Sequence, residues 1–197
     1  MEIKQLLEIM HLAERLKDNT RHCVTSNGRP ESVAEHSWRL SLMCYFVKDE
    51  FPTADIGKIL QMAIVHDLGE CFIGDIPSFE KTDADRAAEA EALNAWVQSL
   101  PEPYCTELCT LYAEMDALET PEAKIYKALD NLEAVVQHNE SPLSTWLPLE
   151  HELQLTYGGD KVGFSPYMQA LKAELNAQSI HKMKTEKVEI AAKNSNE

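Results

Sequence analysis

Nowhere in the 197 residues do the roughly 18 consecutive apolar side chains of a membrane-spanning helix occur. No membrane association through a spanning segment is expected. Positive charge is scarce as well: 18 Lys and Arg stand against 33 Asp and Glu, for a formal charge of −15. Such a chain is badly suited to wrapping a nucleic-acid polymer or lying on an anionic lipid surface. A small anion can still be held if cations or a metal are gathered locally. The cysteines, at 23, 44, 71, 105 and 109, contain no CxxC pair and are odd in number. That argues against a disulfide framework and against a thiolate zinc site. They read as reduced thiols, several of them within apolar runs. Internal repeats and strand-like alternation are also missing. The first residues, MEIKQLLEIMHLAERLK, are amphipathic and charged, unlike a signal peptide, so a cytoplasmic location is expected.

What is present is helical periodicity almost throughout. Ile3, Leu6, Leu7, Met10 and Leu16 recur at helical spacing over 3–17. Residues 18–31 hold Asn, Thr, Ser, Gly and Pro and read as a loop. Ser32 is placed to cap a helix from 33 to 49, ended before Pro52. A helix over 55–68 stops near Gly69. Gly74 and Pro77 mark a loop. Thr82 or Asp83 caps a helix reaching Leu100, and another follows over 104–118. Thr120, Pro121 and Glu122 form a start signal for a helix to His138. Residues 146–157 allow a further helix, and Ser165 with Pro166 opens the last, to Gln178. Residues 181–197 are polar and read as a frayed helix or disordered tail. The length suits one domain, so the expected fold is an all-α, single-domain helical bundle over 1–180.

The chemistry lies in AIVHDLGECFIGD, residues 63–75. At 100° per residue, His66 and Asp67 fall on the side defined by Ile59, Leu60 and Ala63. A buried histidine alone is commonly a satisfied core residue. A buried ionised aspartate costs several kcal/mol unless a cation or several donors compensate it. His36 shares a face with Val33, Leu40, Met43 and Val47. Taken alone, it reads equally as a core histidine bonded to a carbonyl or as a ligand. Two inward histidines and one inward aspartate on consecutive helices favour a shared divalent cation. By pattern alone Glu70 is a carboxylate past a helix end, Asp75 a turn residue and Arg21 a loop cation. Asp130 lies off the stripe of Ile125, Leu129, Leu132 and Val136 and reads as solvated, unless Tyr126, Asp130 and Glu133 face a polar cavity. Trp38, Phe46 and Trp96 read as packing residues, Glu89–Glu91 as an exposed helix face, and Lys81 as a solvated cation.

Three segments, RPESVAEHSWRLSLMCYF, AIVHDLGECFIGDIP and KIYKALDNLEAVV, resemble the HD-domain phosphohydrolases, in particular their 5′-deoxynucleotidase branch. The resemblance runs in order and spacing over residues 3 to 178. It implies a hydrolase that removes phosphate from (deoxy)ribonucleoside 5′-monophosphates. It implies one divalent ion (Mn, Co, Fe, Ni, Zn or Mg) on His36, His66, Asp67 and Asp130. Glu70 and Asp75 are implied in the reaction, Asp75 either at the ester oxygen or at the sugar 3′-hydroxyl. Arg21 matches a family arginine implicated in substrate binding and sugar discrimination. The next position, a tryptophan in one member, is His22 here. Arg29 matches a recurrent basic residue suited to phosphate, and a homodimer is implied. Other HD activities, on cyclic nucleotides or nucleoside triphosphates, and a non-catalytic metal-stabilised binding module remain as alternatives.

Overall fold

A computed structural model describes residues 1–194, with side chains described through residue 186. The contacts divide the chain into two compact units. The first comprises Met1–His22 and Pro30–Lys127; the second comprises Cys23–Arg29 and the chain from Ala128 onward.

The first unit begins with α1 (Ile3–Ala13), continued by a 3₁₀ turn at Glu14–Lys17. The segment expected to be loop instead contains two short strands, β1 (Thr20–Val24) and β2 (Pro30–Ser32), which pair as a two-stranded sheet. Five- and three-residue strands are too short to leave a readable alternation, so periodicity misses them. Helix α2 (Val33–Phe46) starts where Ser32 predicts. The Ser32 hydroxyl accepts from the Glu35 backbone N–H at 3.2 Å, and the Glu35 carboxylate accepts from the Ser32 N–H at 2.9 Å. This reciprocal cap satisfies two otherwise orphaned donors. Helix α3 (Ile56–Val65) is capped by Asp55, and a single turn, α4 (Glu70–Ile73), follows it closely. Helix α5 (Asp83–Gln98) has Thr82 and Asp85 as its capping box, and α6 (Tyr104–Ala117) comes next. Within this unit α2 packs on α3, α3 on α6, α4 on α5 and α5 on α6.

Helix α7 (Pro121–Glu140) begins with Thr120 accepting from the Ala123 N–H at 3.2 Å and carries the chain into the second unit. There a 3₁₀ turn at Leu143–Thr145, α8 (Glu150–Thr156) and α9 (Pro166–Asn194) follow. The last helix continues well past Gln178. Met168, Lys172, Leu175 and Ser179 form its buried face, and Glu186 accepts from the Leu143 N–H at 2.8 Å while pairing with Lys182. These ties extend helix into the segment read as a tail. Residues 195–197 of that segment lie outside the described residues.

Several packing expectations change. Ile3, Leu6, Leu7 and Met10 are exposed and only Leu16 of that set is buried, in a cluster with Val33 and Cys71. Trp38 and Phe46, read as packing residues, are 63% and 76% exposed on α2. Helical spacing shows which residues share a face, but not whether that face is covered. His138 gains a partner in the second unit: its Nε2 lies 2.9 Å from the Glu150 carboxylate. Among the described residues no helix is long and apolar enough to cross a membrane, and the cysteines form no disulfide.

Lys172 is a buried lysine in the second unit. Its Nζ is buried and donates to the Gln154 carbonyl at 3.0 Å. Burial pulls its pKa down to about 8. The folded state therefore holds the proton less tightly than the unfolded chain, and stability rises as pH climbs from about 8 toward the ordinary lysine value. Lys172→Met is expected to raise stability at pH 7, and the gain should shrink by roughly 1–2 kcal/mol at pH 9.5. Denaturant melts of both proteins at the two pH values measure this; an equal gain at both would contradict it.

Candidate active site

Three of the residues expected as metal ligands, all in the first unit, come together. His36 comes from α2, while His66 and Asp67 follow α3 directly. Helix α3 ends one residue before His66, so the pair sits in a tight turn rather than within the helix. One ligand atom from each of His36, His66 and Asp67 lies within 4.8 Å of the other two. The His36 and His66 Nε2 atoms are 3.2 Å apart. Asp67 Oδ2 is 2.9 Å from His66 Nε2 and 3.9 Å from His36 Nε2. His36 is 1% exposed.

The tautomer follows from hydrogen bonding. His66 Nδ1 lies 3.0 Å from the Ala63 carbonyl, which can only accept. Nδ1 therefore donates, and the lone pair of the neutral ring is on Nε2. That lone pair points at a carboxylate oxygen and at a second imidazole nitrogen. A cation placed among these atoms would be stabilised by them, and imidazole with carboxylate suits a divalent metal. The donor set fits the ion that the sequence pattern implies.

The turn is held from several sides. Tyr112 on α6 donates its hydroxyl to the Val65 carbonyl at 2.7 Å, just before His66. Asn19 Nδ2 donates to the Glu70 carbonyl at 2.6 Å, and Arg15 to the Cys71 carbonyl at 3.2 Å. Gly74, at φ +81°, adopts a conformation that favours glycine, and its N–H closes α4 onto the Glu70 carbonyl. Gly69 plays a different part from the helix stop expected of it. Its φ is −58°, within the helical region. A side chain there would meet Glu89: an added Cβ would lie 2.9 Å from Glu89 Cγ.

Glu70 is 5% exposed, and its Oε2 has no hydrogen-bond partner. Burial, followed by the charges of Asp67, Asp75 and Glu89, pushes its pKa up to about 9. Asp75 is also raised, chiefly by burial; the Arg21 guanidinium and a hydrogen bond with Glu70 oppose the rise. Glu70 and Asp75 thus belong to one carboxylate cluster with Asp67. Neither is the surface or turn residue that pattern alone suggested. Arg21 donates to Glu31 at 3.0 Å. His22 is exposed, with its ring edge-on to Phe79 at 5.5 Å. Arg29, exposed at the hairpin, and Asp130 belong to the second unit. Asp130 is half-buried on α7, flanked on its face by Tyr126 at 5% and Glu133 at 0% exposure. That face is not the solvated one its stripe predicted.

A cavity of about 670 Å³ opens beside the turn, with His66, Asp67, Lys81, Glu89, Tyr112 and Tyr126 in its wall. Lys81 and Glu89, read as solvated, are ion-paired with side chains only 13% and 17% exposed. No spacing signal marks this pair, because its burial comes from α4 packing on α5.

The chain belongs to the HD domain family, whose pattern matches residues 13–172. Within that class it is similar to 5′-deoxynucleotidase HDDC2 of Homo sapiens, 32% identical over 183 residues that cover 89% of this chain and 86% of the human protein. It is 30% identical over 135 residues to the dATP triphosphohydrolase of Cyanophage S-2L, covering 66% of this chain and 70% of the phage protein. A structure described as a predicted metal-dependent phosphohydrolase from Magnetospirillum magnetotacticum MS-1 shares the fold, with a TM-score of 0.76 at 24% identity, covering 90% of this chain and 92% of that one.

Removal of one acceptor should remove metal retention. Wild-type protein loaded with Co²⁺ or Mn²⁺ is expected to show a higher Tm than its chelated form, since a ligand bound only to the folded state stabilises it. His66→Ala and Asp67→Asn should abolish that difference in a thermal melt.

Proposed function

We infer that the protein is a metal-dependent phosphohydrolase that releases phosphate from (deoxy)ribonucleoside 5′-monophosphates. The observation that carries this reading is the convergence of His36, His66 and Asp67 next to the carboxylates of Glu70 and Asp75, with His66 and Asp67 themselves lining a cavity large enough for a small ligand. The kinship to a 5′-deoxynucleotidase supports the substrate class. We propose His36, His66 and Asp67 as ligands of one divalent ion, with Asp130 as the fourth by the family pattern. When bound, such an ion polarises a phosphoryl oxygen and lowers the pKa of coordinated water.

The chain's own residues then have separable roles. Glu70 takes the proton of the attacking water on its carboxylate. Burial, with crowding by Asp67, Asp75 and Glu89, makes Glu70 strongly basic, and positive charge added to the cluster lets it ionise near neutral pH. Asp75 sits at the leaving ester oxygen or at the sugar 3′-hydroxyl. Arg21, beside Asp75, and Arg29 supply cations for the phosphate, and His22 flanks the sugar. Residues 1–180 form the catalytic part, and the chain acts as a cytoplasmic homodimer. Exposed apolar side chains on α2, Trp38, Tyr45 and Phe46, are of the kind that self-association covers.

A triphosphate substrate is the second reading. Arg86 and Lys127 add to Lys81 as cations in the cavity wall, and the phage relative is named for dATP. Products formed from dAMP, AMP, dATP and a cyclic nucleotide by the metal-loaded protein distinguish the two. Release of inorganic phosphate from dAMP is expected. Glu70→Gln should keep its metal and lose about 10²- to 10⁴-fold in kcat; retention of turnover would remove Glu70 from the mechanism.

A further inference from the structure

We infer that Glu89 is a positioning residue: held by Lys81, it backs Gly69 and fixes the turn that presents His66, Asp67 and Glu70. The inference rests on the reading of that turn as the metal-dependent active site. Three observations carry it. Glu89 is the nearest neighbour of Gly69: the three heavy atoms closest to an added Cβ are Glu89 Cγ at 2.9 Å, Oε1 at 3.1 Å and Cδ at 3.4 Å. The stem of Glu89 is therefore packed on the backbone between the metal ligands and the proposed base. The Glu89 carboxylate is ion-paired with Lys81, and both side chains are largely covered. The two residues also join His66 and Asp67 in the cavity wall.

This arrangement explains a glycine that backbone conformation does not require. At φ −58° any residue is accommodated; the nearest obstacle to a side chain is Glu89, which reaches over from α5. The orientation of Glu89 is set by Lys81, which lies just before the helix. Charge contributes as well. The Lys81 ammonium stands where it offsets the negative charge of Glu70, Asp75 and Glu89 together. Without Glu89 the lysine would be free to move off, and the turn would lose its backing.

A double-mutant cycle tests this. Wild type, Glu89→Ala, Gly69→Ala and the double variant are titrated with Co²⁺ by visible absorption, and kcat and KM are measured on dAMP. Glu89→Ala is expected to weaken Co²⁺ binding and lower kcat by about tenfold, as loss of an outer-shell partner does, with KM within about twofold. Gly69→Ala should do comparable damage alone, yet add nothing in the Glu89→Ala background, where space for the methyl exists. Equal penalties for Gly69→Ala in both backgrounds, or wild-type Co²⁺ affinity and kcat in Glu89→Ala, would overturn the inference. If Glu89→Ala fails to fold, Glu89→Gln is measured instead. It keeps the stem on Gly69 and drops the charge that holds Lys81, and wild-type values would overturn the proposal equally. A wild type that binds Co²⁺ but hydrolyses no nucleotide would defeat the functional reading while leaving the Co²⁺ cycle to judge Glu89.

Discussion

Two imidazole nitrogens lie 3.2 Å apart, with a carboxylate oxygen 2.9 Å from one of them. Positive charge brought among these atoms would bind them to one another. Much of the first unit serves to hold them together. The Ser32–Glu35 capping box sets where α2 begins, and therefore where His36 points. The Ala63 carbonyl fixes the His66 tautomer. Tyr112, Asn19 and Arg15 each donate to a backbone carbonyl that flanks the turn, that of Val65 at the end of α3 and those of Glu70 and Cys71 in α4. These are neutral or charge-assisted hydrogen bonds of modest individual worth, about 1–3 kcal/mol each. Together they keep close a set of groups that would otherwise separate.

The carboxylates extend this principle. Asp67, Glu70 and Asp75 would not share one buried region without compensation. Arg21 and Lys81 provide part of it, and Glu70 responds by holding its proton far above the ordinary range. Positive charge added to the cluster would favour the ionised form of Glu70. Catalysis of this class depends on such preorganisation, because the charges are already oriented when the substrate binds. Relatives with the same fold act on different phosphate esters, so substrate choice must be decided by the groups around the turn rather than by the turn itself.

Helix starts were legible because capping is local: Ser32, Thr82 and Thr120 each act within three residues of themselves. His36 was legible because helical spacing put it on an apolar face; His66 and Asp67 were singled out on the same spacing, although the helix ends just before them. Spacing failed where coverage decides the outcome. The apolar stripe of α1 is real, yet exposed; Trp38 and Phe46 face outward. The two short strands left no periodic trace. Glu89 stood in a Glu-rich run that reads as solvent-facing, and only the packing of α4 on α5 draws it to Gly69.

The sequence by itself determined the helical class and the helix starts, and put forward His36, His66 and Asp67 as candidate ligands, since these follow from residue type and spacing along one chain. Tertiary structure alone decided which faces are covered, which carboxylates share a charge environment, and that residue 69 faces the stem of Glu89. Those outcomes depend on distances between segments far apart in sequence, to which local propensity is blind.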